Sequence, residues 1–250
     1  MIYSEENLLT IITVTYKNDN ELIETLNSIY EQTSQPSKII IKDGCKREKP
    51  FFLRDHNKNT IFVSSYDSGI YHAMNISLDY VKTPYVLFLN SGDVFINKNS
   101  LNCFYEEFFK YFRKNNFIPD AIFFKWTHKN RKRIFSPKKQ PLRFNHQAVI
   151  YKKSLHDEIG KYIMHKKFTV ADYFFFKILF SLKGKKIIFS DSLFSMIDPN
   201  GLSSSYRTFL SVNSIDYLFG ETSRKWLVVL AIFHPLYNFL KKLITALVKI

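Results

Sequence analysis

Five consecutive apolar or aromatic residues, Tyr85-Val86-Leu87-Phe88-Leu89, run straight into the polar stretch Asn90-Ser91-Gly92-Asp93. A short continuous apolar run bounded by turn residues reads as a strand buried on both faces; a strand with one wet face would alternate. Such a strand belongs to a sheet with helices above and below it. In open sheets of that kind, ligands sit outside the carboxyl ends of the strands. Asp93 is therefore expected in a crevice, on a turn that Gly92 bends freely. Taken alone, the segment also fits an ordinary turn carboxylate.

The neighbouring segments repeat the pattern. Strands are expected at Leu8 to Tyr16 (LLTIITVTY), Lys38 to Lys42, Thr60 to Ser65 and Ala121 to Thr127. Between them, Leu22, Ile23, Leu26, Ile29 and Tyr30 recur at helical spacing behind a cap at Asn18 or Asp19. Ile70 to Val81 reads as a helix, and Leu101, Phe104, Tyr105, Phe108, Phe109 and Phe112 mark another. Strands alternating with helices predict an α/β fold, a mostly parallel sheet covered on both sides. Further on, Asn145 to Lys152 and Lys186 to Ile197 read as strands, Phe168 to Leu182 as a helix, and Arg131 to Lys139 as a basic loop.

Several classes fall away. The first strand carries no GxGxxG and the chain no GxxxxGK[ST], which disfavours dinucleotide oxidoreductases and P-loop enzymes. Cys45 and Cys103 lack metal-ligand spacing and read as reduced thiols of a cytosolic protein. Met1 to Leu9 holds Glu5 and Glu6 and no basic region, so it does not read as a signal peptide. No run reaches the roughly 18 to 20 apolar residues of a membrane span. The net charge of +14 points to nucleic acid, anionic lipid or a phosphorylated substrate, or to lysines spread over solvated faces. The aromatics sit at core spacing and Arg131 to Lys139 is the one dense basic run, so a nucleic-acid reader is set aside.

Polar groups end three strands: Thr15-Tyr16-Lys17-Asn18, Asp43-Gly44, and Asn90 to Asp93. Between them stand Asp67 to Asn75 (DSGIYHAMN), and later His146-Gln147-Ala148 and Val170 to Tyr173. In order and spacing these segments resemble the family 2 glycosyltransferases with the GT-A fold. The likeness runs from Leu9 to about Ser204 and is nearest the bacterial branch that builds capsule, lipooligosaccharide and exopolysaccharide. Its "D-x-G-I-Y-D-A-M-N" stretch, "L-N-S-G-D" strand end, "H-Q-A" strand and "A-A-D-Y-D" helix start all have counterparts here.

The resemblance implies a nucleoside-diphosphate sugar as donor, UDP favoured, and a hydroxyl of a glycan or lipid-linked acceptor. It implies inversion at the anomeric carbon and a divalent cation, Mn or Mg, at the pyrophosphate. Asp93 matches the last acid of the family's D-x-D signature; the first is Asn90 here. Thr13, Thr15, Tyr16, Asp43, Asp67, Asn75, Asn90, Ser91, Gly92 and Asp93 then line the donor crevice. Asp43 faces the base, as a carboxylate suits an imide N–H, or else it merely closes an Asp-Gly turn. His146 stands either near the metal or pyrophosphate, or as a buried strand histidine. Asp172 matches the general base that deprotonates the acceptor hydroxyl. The family's second acid two residues later is Phe174 here, and with Asn90 this keeps open a catalytically weak or inactive scaffold. Asp198 to Ser204 resembles the loop after the last strand.

The implied layout is a GT-A domain over 1–205, with a nucleotide-sugar half at 1–95 and an acceptor half at 96–205, followed by a helical tail at 206–250. Residues 224–250 are apolar and basic only. Arg224, Lys225 and Trp226 precede a run broken by Pro235, with Lys241, Lys242 and Lys249 beyond. That pattern fits an interfacial helix on the cytoplasmic face of a bacterial inner membrane. It fits equally a helix docked on its own domain or in a homo-oligomer.

Overall fold

The computed structural model describes residues 3–53, 59–115, 117–130, 132–138, 143–199, 205–230 and 233. Within them, β1 (Leu9–Thr15), β2 (Lys38–Asp43), β3 (Thr60–Ser64) and β4 (Tyr85–Phe88) pair in parallel in the order β3-β2-β1-β4. The sheet then changes direction. β8 (Val149–Lys152) runs antiparallel beside β4, and β6 (Ala121–His128) antiparallel beside β8. The long β9 (Ile187–Ile197) returns parallel to β6. Two two-residue strands complete the described sheet: β5 (Val94–Phe95) on β9 and β7 (Ile134–Phe135) on β6. The expected mixed, mostly parallel sheet is thus observed.

Alternation along the strands sends side chains to two cores. Ile11, Ile39, Ile41, Leu87 and Leu89 face α2 (Asp19–Tyr30) and α4 (Ser100–Asn115), packing with Leu22, Leu26, Ile29, Phe104 and Phe108. Ile12, Val14, Ile40, Val86 and Phe88 face the other way. They meet Tyr71, Met74 and Leu78 of α3 (Ile70–Leu78), Leu155 of α5 (Leu155–Ile159), and Phe175, Phe176 and Leu179 of α6 (Ala171–Ser181). This is why the strands read as unbroken apolar runs: both faces are covered. Phe dominates because large rings fill the gap between sheet and helix; Phe123 alone lies within 6 Å of the rings of Phe144, Phe176, Phe180 and Phe189.

Three expectations are corrected. Residues 145–152 are not one strand: His146–Ala148 form a 3₁₀ turn before β8. Asn145 causes it, its side chain accepting the Gln147 N–H at 3.3 Å and bending the chain at the sheet's end. A short α1 (Glu5–Leu8) precedes β1, where no helix was expected. The helix after the third strand ends at Leu78, not Val81.

The C-terminal α7 (Tyr206–Leu218) is fastened to α6. Lys177, buried, reaches Asp216 at 2.8 Å and Glu221, and Tyr173 donates to Asp216 at 2.6 Å. Thr169 and Thr208 share a hydrogen bond of 2.7 Å. Residues 224–230 are helical, with Trp226, Val228, Val229 and Phe233 exposed. Among the described residues no helix is long and apolar enough to cross a membrane. Pro235, the tail lysines and 200–204 of the final loop lie outside the described residues.

Candidate functional site

Parallel pairing brings the carboxyl ends of β1, β2 and β4 together, because Thr15 stands opposite Asp43 and Ile12 opposite Phe88. Past β4, the backbone turns at Asn90–Asp93, closed by the Asp93 N–H on the Asn90 carbonyl at 2.9 Å. Gly92 takes φ +94° there, a conformation that strains any side chain. Thr25 of α2, fully buried, braces the turn. Its hydroxyl donates to the Asp93 carbonyl at 2.8 Å and accepts the Gly92 N–H at 3.0 Å.

Asp93 is 5% exposed. One oxygen accepts the Asp198 N–H at 3.0 Å and the other the Gln147 amide at 2.7 Å. Burial nonetheless dominates and pushes its pKa up to about 6, since an ionised group there lacks solvent. Asp198 follows β9, so the last strand closes on the Asn90–Asp93 turn.

Beside this turn runs a chain of hydrogen bonds. Asn90 Nδ2 lies 3.0 Å from His146 Nε2. His146 Nδ1 lies 2.7 Å from Asp172 Oδ2. Asp172 Oδ1 accepts the Tyr71 hydroxyl at 2.6 Å. Asp172 occupies the first turn of α6, where the helix dipole favours a negative charge. Burial works to raise its pKa, but attraction to His146 and hydrogen bonds from His146, Tyr71 and the Tyr173 backbone outweigh it and hold the carboxyl below its ordinary value. Burial, and next the adjacent Asp172 charge, raise the Tyr71 phenol well above its ordinary value, so it stays a donor.

The β2 end is built around a second set of charges. Lys42, with no exposed side-chain surface, donates to the Asp43 and Ser65 carbonyls and to Asp67 Oδ2 at 2.8 Å. Asp67 thereby arches over Gly44, where an added Cβ would meet its Oδ2 at 2.8 Å and the Tyr16 ring at 3.0 Å. Asp43 is wholly buried. It accepts the Cys45 N–H and Arg47 Nε, both at 2.6 Å, while Arg47 also forks onto Asp19. The Asp43 carboxylate is therefore covered by Arg47, and a base reaching it must displace that contact.

Of the residues anticipated from sequence, Asn90, Ser91, Gly92, Asp93, His146 and Asp172 converge on one side of the sheet end. Asp43, Asp67 and Tyr16 converge on the other, and Thr13 and Thr15 rise between them along β1. Asn75 does not join them: both ends of its amide bind the Tyr162 backbone, at 2.8 and 2.9 Å. Thr25, Lys42, Arg47, Tyr71 and Gln147 went unrecognised. Tyr71 and Gln147 stand inside motifs that were recognised, and Lys42 is a lone lysine in an apolar strand, which is the signal for a buried ion pair.

No three His, Cys, Asp or Glu side chains gather as a metal cluster among the described residues. The turn offers instead one carboxylate, Asp93, and two buried amide oxygens without a hydrogen-bond partner, Asn90 Oδ1 and Gln147 Oε1. Hard oxygens of this kind suit Mg or Mn when a substrate's phosphates complete the shell. The donor set fits such a cation held jointly with a ligand. Thr13 Oγ1 and Thr15 Oγ1 are likewise buried and unpaired beside the crevice.

A family model described as glycosyl transferase family 2 matches residues 10–174. Among curated proteins, the chain is similar to a teichoic acid poly(glycerol phosphate) polymerase of Staphylococcus epidermidis, 42% identical over 94 residues, which is 35% of this chain and 13% of that protein. Among solved structures, it is similar to S. aureus TarS 1–349 in complex with UDP-GlcNAc, with TM-score 0.64, 18% identity, and 84% of this chain and 65% of that one covered. It is also similar to the mannosyltransferase PcManGT from Pyrobaculum calidifontis in complex with GDP-Man and Mn2+, with TM-score 0.63, 13% identity, and 87% and 65% covered. At these identities the structural likeness is one of fold. The chain spans just under two thirds of those solved chains and a small part of the curated relative.

Proposed function

The chain belongs to glycosyl transferase family 2, and on that premise we propose that it moves a sugar from a nucleoside-diphosphate sugar to an acceptor hydroxyl with inversion. One observation carries the reading most: the Asn90–Asp93 turn and Asp172, far apart in sequence, are joined through His146 at the sheet's carboxyl end. A UDP-sugar is the favoured donor, in keeping with the UDP-GlcNAc bound by one fold relative.

In this reading the donor's diphosphate lies over the Asn90–Asp93 turn. A Mn or Mg ion bound by Asp93, with Asn90 Oδ1 and Gln147 Oε1 at hand, would neutralise charge on the leaving diphosphate. Asp43 receives the base once Arg47 yields, and Tyr16 and Asp67 wall the ribose side. Asp172 takes the proton of the acceptor hydroxyl as that oxygen attacks the anomeric carbon. Its low pKa keeps it ionised and ready to accept, at some cost in basicity. Tyr71 and His146 hold its two oxygens in place.

The acceptor is proposed to be a glycan or lipid-linked intermediate of a bacterial surface polymer. Residues 224–230 support placement at the cytoplasmic face of the inner membrane: Trp226 is 55% exposed beside Arg224 and Lys225. Calorimetry with UDP tests the donor site. Binding should require Mn or Mg, and Asp93→Ala should weaken it at least about tenfold, roughly 1.4 kcal/mol. Equal affinity with and without metal would remove Asp93 from the role given to it.

A further inference from the structure

We infer that residues 161–167, the loop before α6, form a membrane contact on the catalytic domain itself: Ile163 and Met164 enter the headgroup layer of an anionic bilayer while Lys166 and Lys167 pair with its phosphates. The inference rests on the membrane placement proposed above and adds to it a surface separate from residues 224–250.

The loop holds its apolar residues outward. Tyr162 is 3% exposed and packs edge-on against Phe88 and Phe175, and Phe168 packs against the same core. Ile163 and Met164, between them, are 46% and 55% exposed. They stand on a fixed base. Both ends of the Asn75 amide bind the Tyr162 backbone, at 2.8 and 2.9 Å. At the other end, the Lys167 N–H meets His165 Nδ1 at 3.2 Å and the Phe168 N–H meets the His165 carbonyl at 2.9 Å, closing a turn. Asn75, which does not join the donor crevice, thus pins this loop.

The charge around the apolar pair has one sign. Residues 161–167 (KYIMHKK) contain no acid. Lys161 reaches Asp79 at 2.6 Å, and the exposed Tyr80 follows Asp79. Lys166 and Lys167 are exposed and stand in no ion pair among the described residues. Two apolar side chains fall far short of the roughly 1,000 Å² that a stable protein interface buries. A bilayer asks for less: apolar side chains sink into its interface, and anionic lipid attracts each nearby lysine.

α7 meets Thr169 through Thr208, near its own start, and Lys177 through Asp216, near its end. Residues 224–230 therefore follow from the end of α7 further from the loop. The loop instead leads into the first turn of α6. Asp172 lies five residues beyond Lys167, which puts the two within roughly 18 Å. Seated on lipid, the loop presents the acceptor side of the site to molecules anchored in the same leaflet.

The test is flotation of the full chain, without nucleotide, on vesicles of equal phosphatidylcholine and phosphatidylglycerol and on phosphatidylcholine alone. Lys166→Gln with Lys167→Gln should weaken binding to the anionic vesicles about 25-fold, about fivefold for each charge, and leave binding to phosphatidylcholine unchanged. Ile163→Ser with Met164→Ser should weaken binding to the anionic vesicles about tenfold. All four positions are exposed, so both double variants should keep the wild-type melting temperature and UDP affinity. If the full chain floats and both double variants float equally well, the inference falls alone and residues 224–250 remain the lipid contact. A loss for the lysine pair that is as large on phosphatidylcholine alone also overturns it. So does a loss of duplex RNA binding with none on vesicles, which would make the lysines nucleic-acid contacts. A full chain that floats on neither vesicle defeats the membrane placement and the inference together. Absence of UDP binding would defeat the transferase reading and leave flotation to decide the loop.

Discussion

Asp93→Asn should make the metal-free protein more stable, and only above a defined pH. In the folded chain the Asp93 carboxyl has its pKa raised by burial from an ordinary 3.8 to about 6. Below pH 4 the group is protonated folded or unfolded, and burial costs nothing extra. Between about 4 and 6 the folded state keeps a proton the unfolded state has released, so stability falls as pH rises. Above about 6 the deficit is complete, on the order of 3 kcal/mol. An asparagine escapes this deficit. Its oxygen accepts the Asp198 N–H as before, and its nitrogen needs an acceptor, which Gln147 supplies by turning its unpaired Oε1 inward. Allowing for imperfect repacking, the variant should gain about 1–3 kcal/mol at pH 8, a rise of roughly 2–10 °C in melting temperature. The gain should vanish near pH 4. Scanning calorimetry of both proteins in EDTA from pH 4 to 8 measures it, and the difference between them cancels other titrating groups. Mn with UDP should narrow the gap, since a cation favours the ionised form. A difference that is flat with pH, or a wild type more stable at pH 8, would refute the burial argument.

Other outcomes follow from the same geometry. Asp172→Asn should keep UDP binding within about threefold and lower turnover by about 10²- to 10⁴-fold; wild-type rates with a defined acceptor would exclude Asp172 as the base. Lys177→Met should cost about 2 kcal/mol in urea unfolding. It strands Asp216 and Glu221, whose partial exposure keeps the loss below that of a fully buried pair. In liposome flotation, the full chain should bind anionic vesicles more strongly than a 1–223 truncation and lose binding with salt. Equal flotation of both would make residues 224–250 a packing or oligomer element.

The first half of the sheet was legible because β1, β2 and β4 are buried on both faces. Ile39, Ile40 and Ile41 need no partner to be identified as β2, and the polar groups that end β1, β2 and β4 had to meet once the strands were parallel. Asp172 was legible as an acid in the first turn of a helix. The supports were not. Tyr71 meets Asp172 across 101 residues, Gln147 meets Asp93 across 54, and Lys42 meets Asp67 across 25. Nothing in local spacing encodes such distances. The 3₁₀ turn at His146 was missed because a β-rich segment hid the capping amide of Asn145. β5, at two residues, lacks the length for any periodicity to register.

The position of β4 between β1 and β8 bears on how the chain is made. When residues up to about 95 have left the ribosome, β3, β2, β1 and β4 can already pair. The outer edge of β4 then stays bare until β8 emerges some sixty residues later. All four residues of that edge, Tyr85 to Phe88, are buried in the finished protein. A flat apolar edge with open backbone donors and acceptors is a template for joining other chains. The half that carries the Asn90–Asp93 turn is thus the half least able to remain single while synthesis continues. Expressed as a fragment it would gather into aggregates, and the growing chain is a natural client for whatever shields strand edges in the cell.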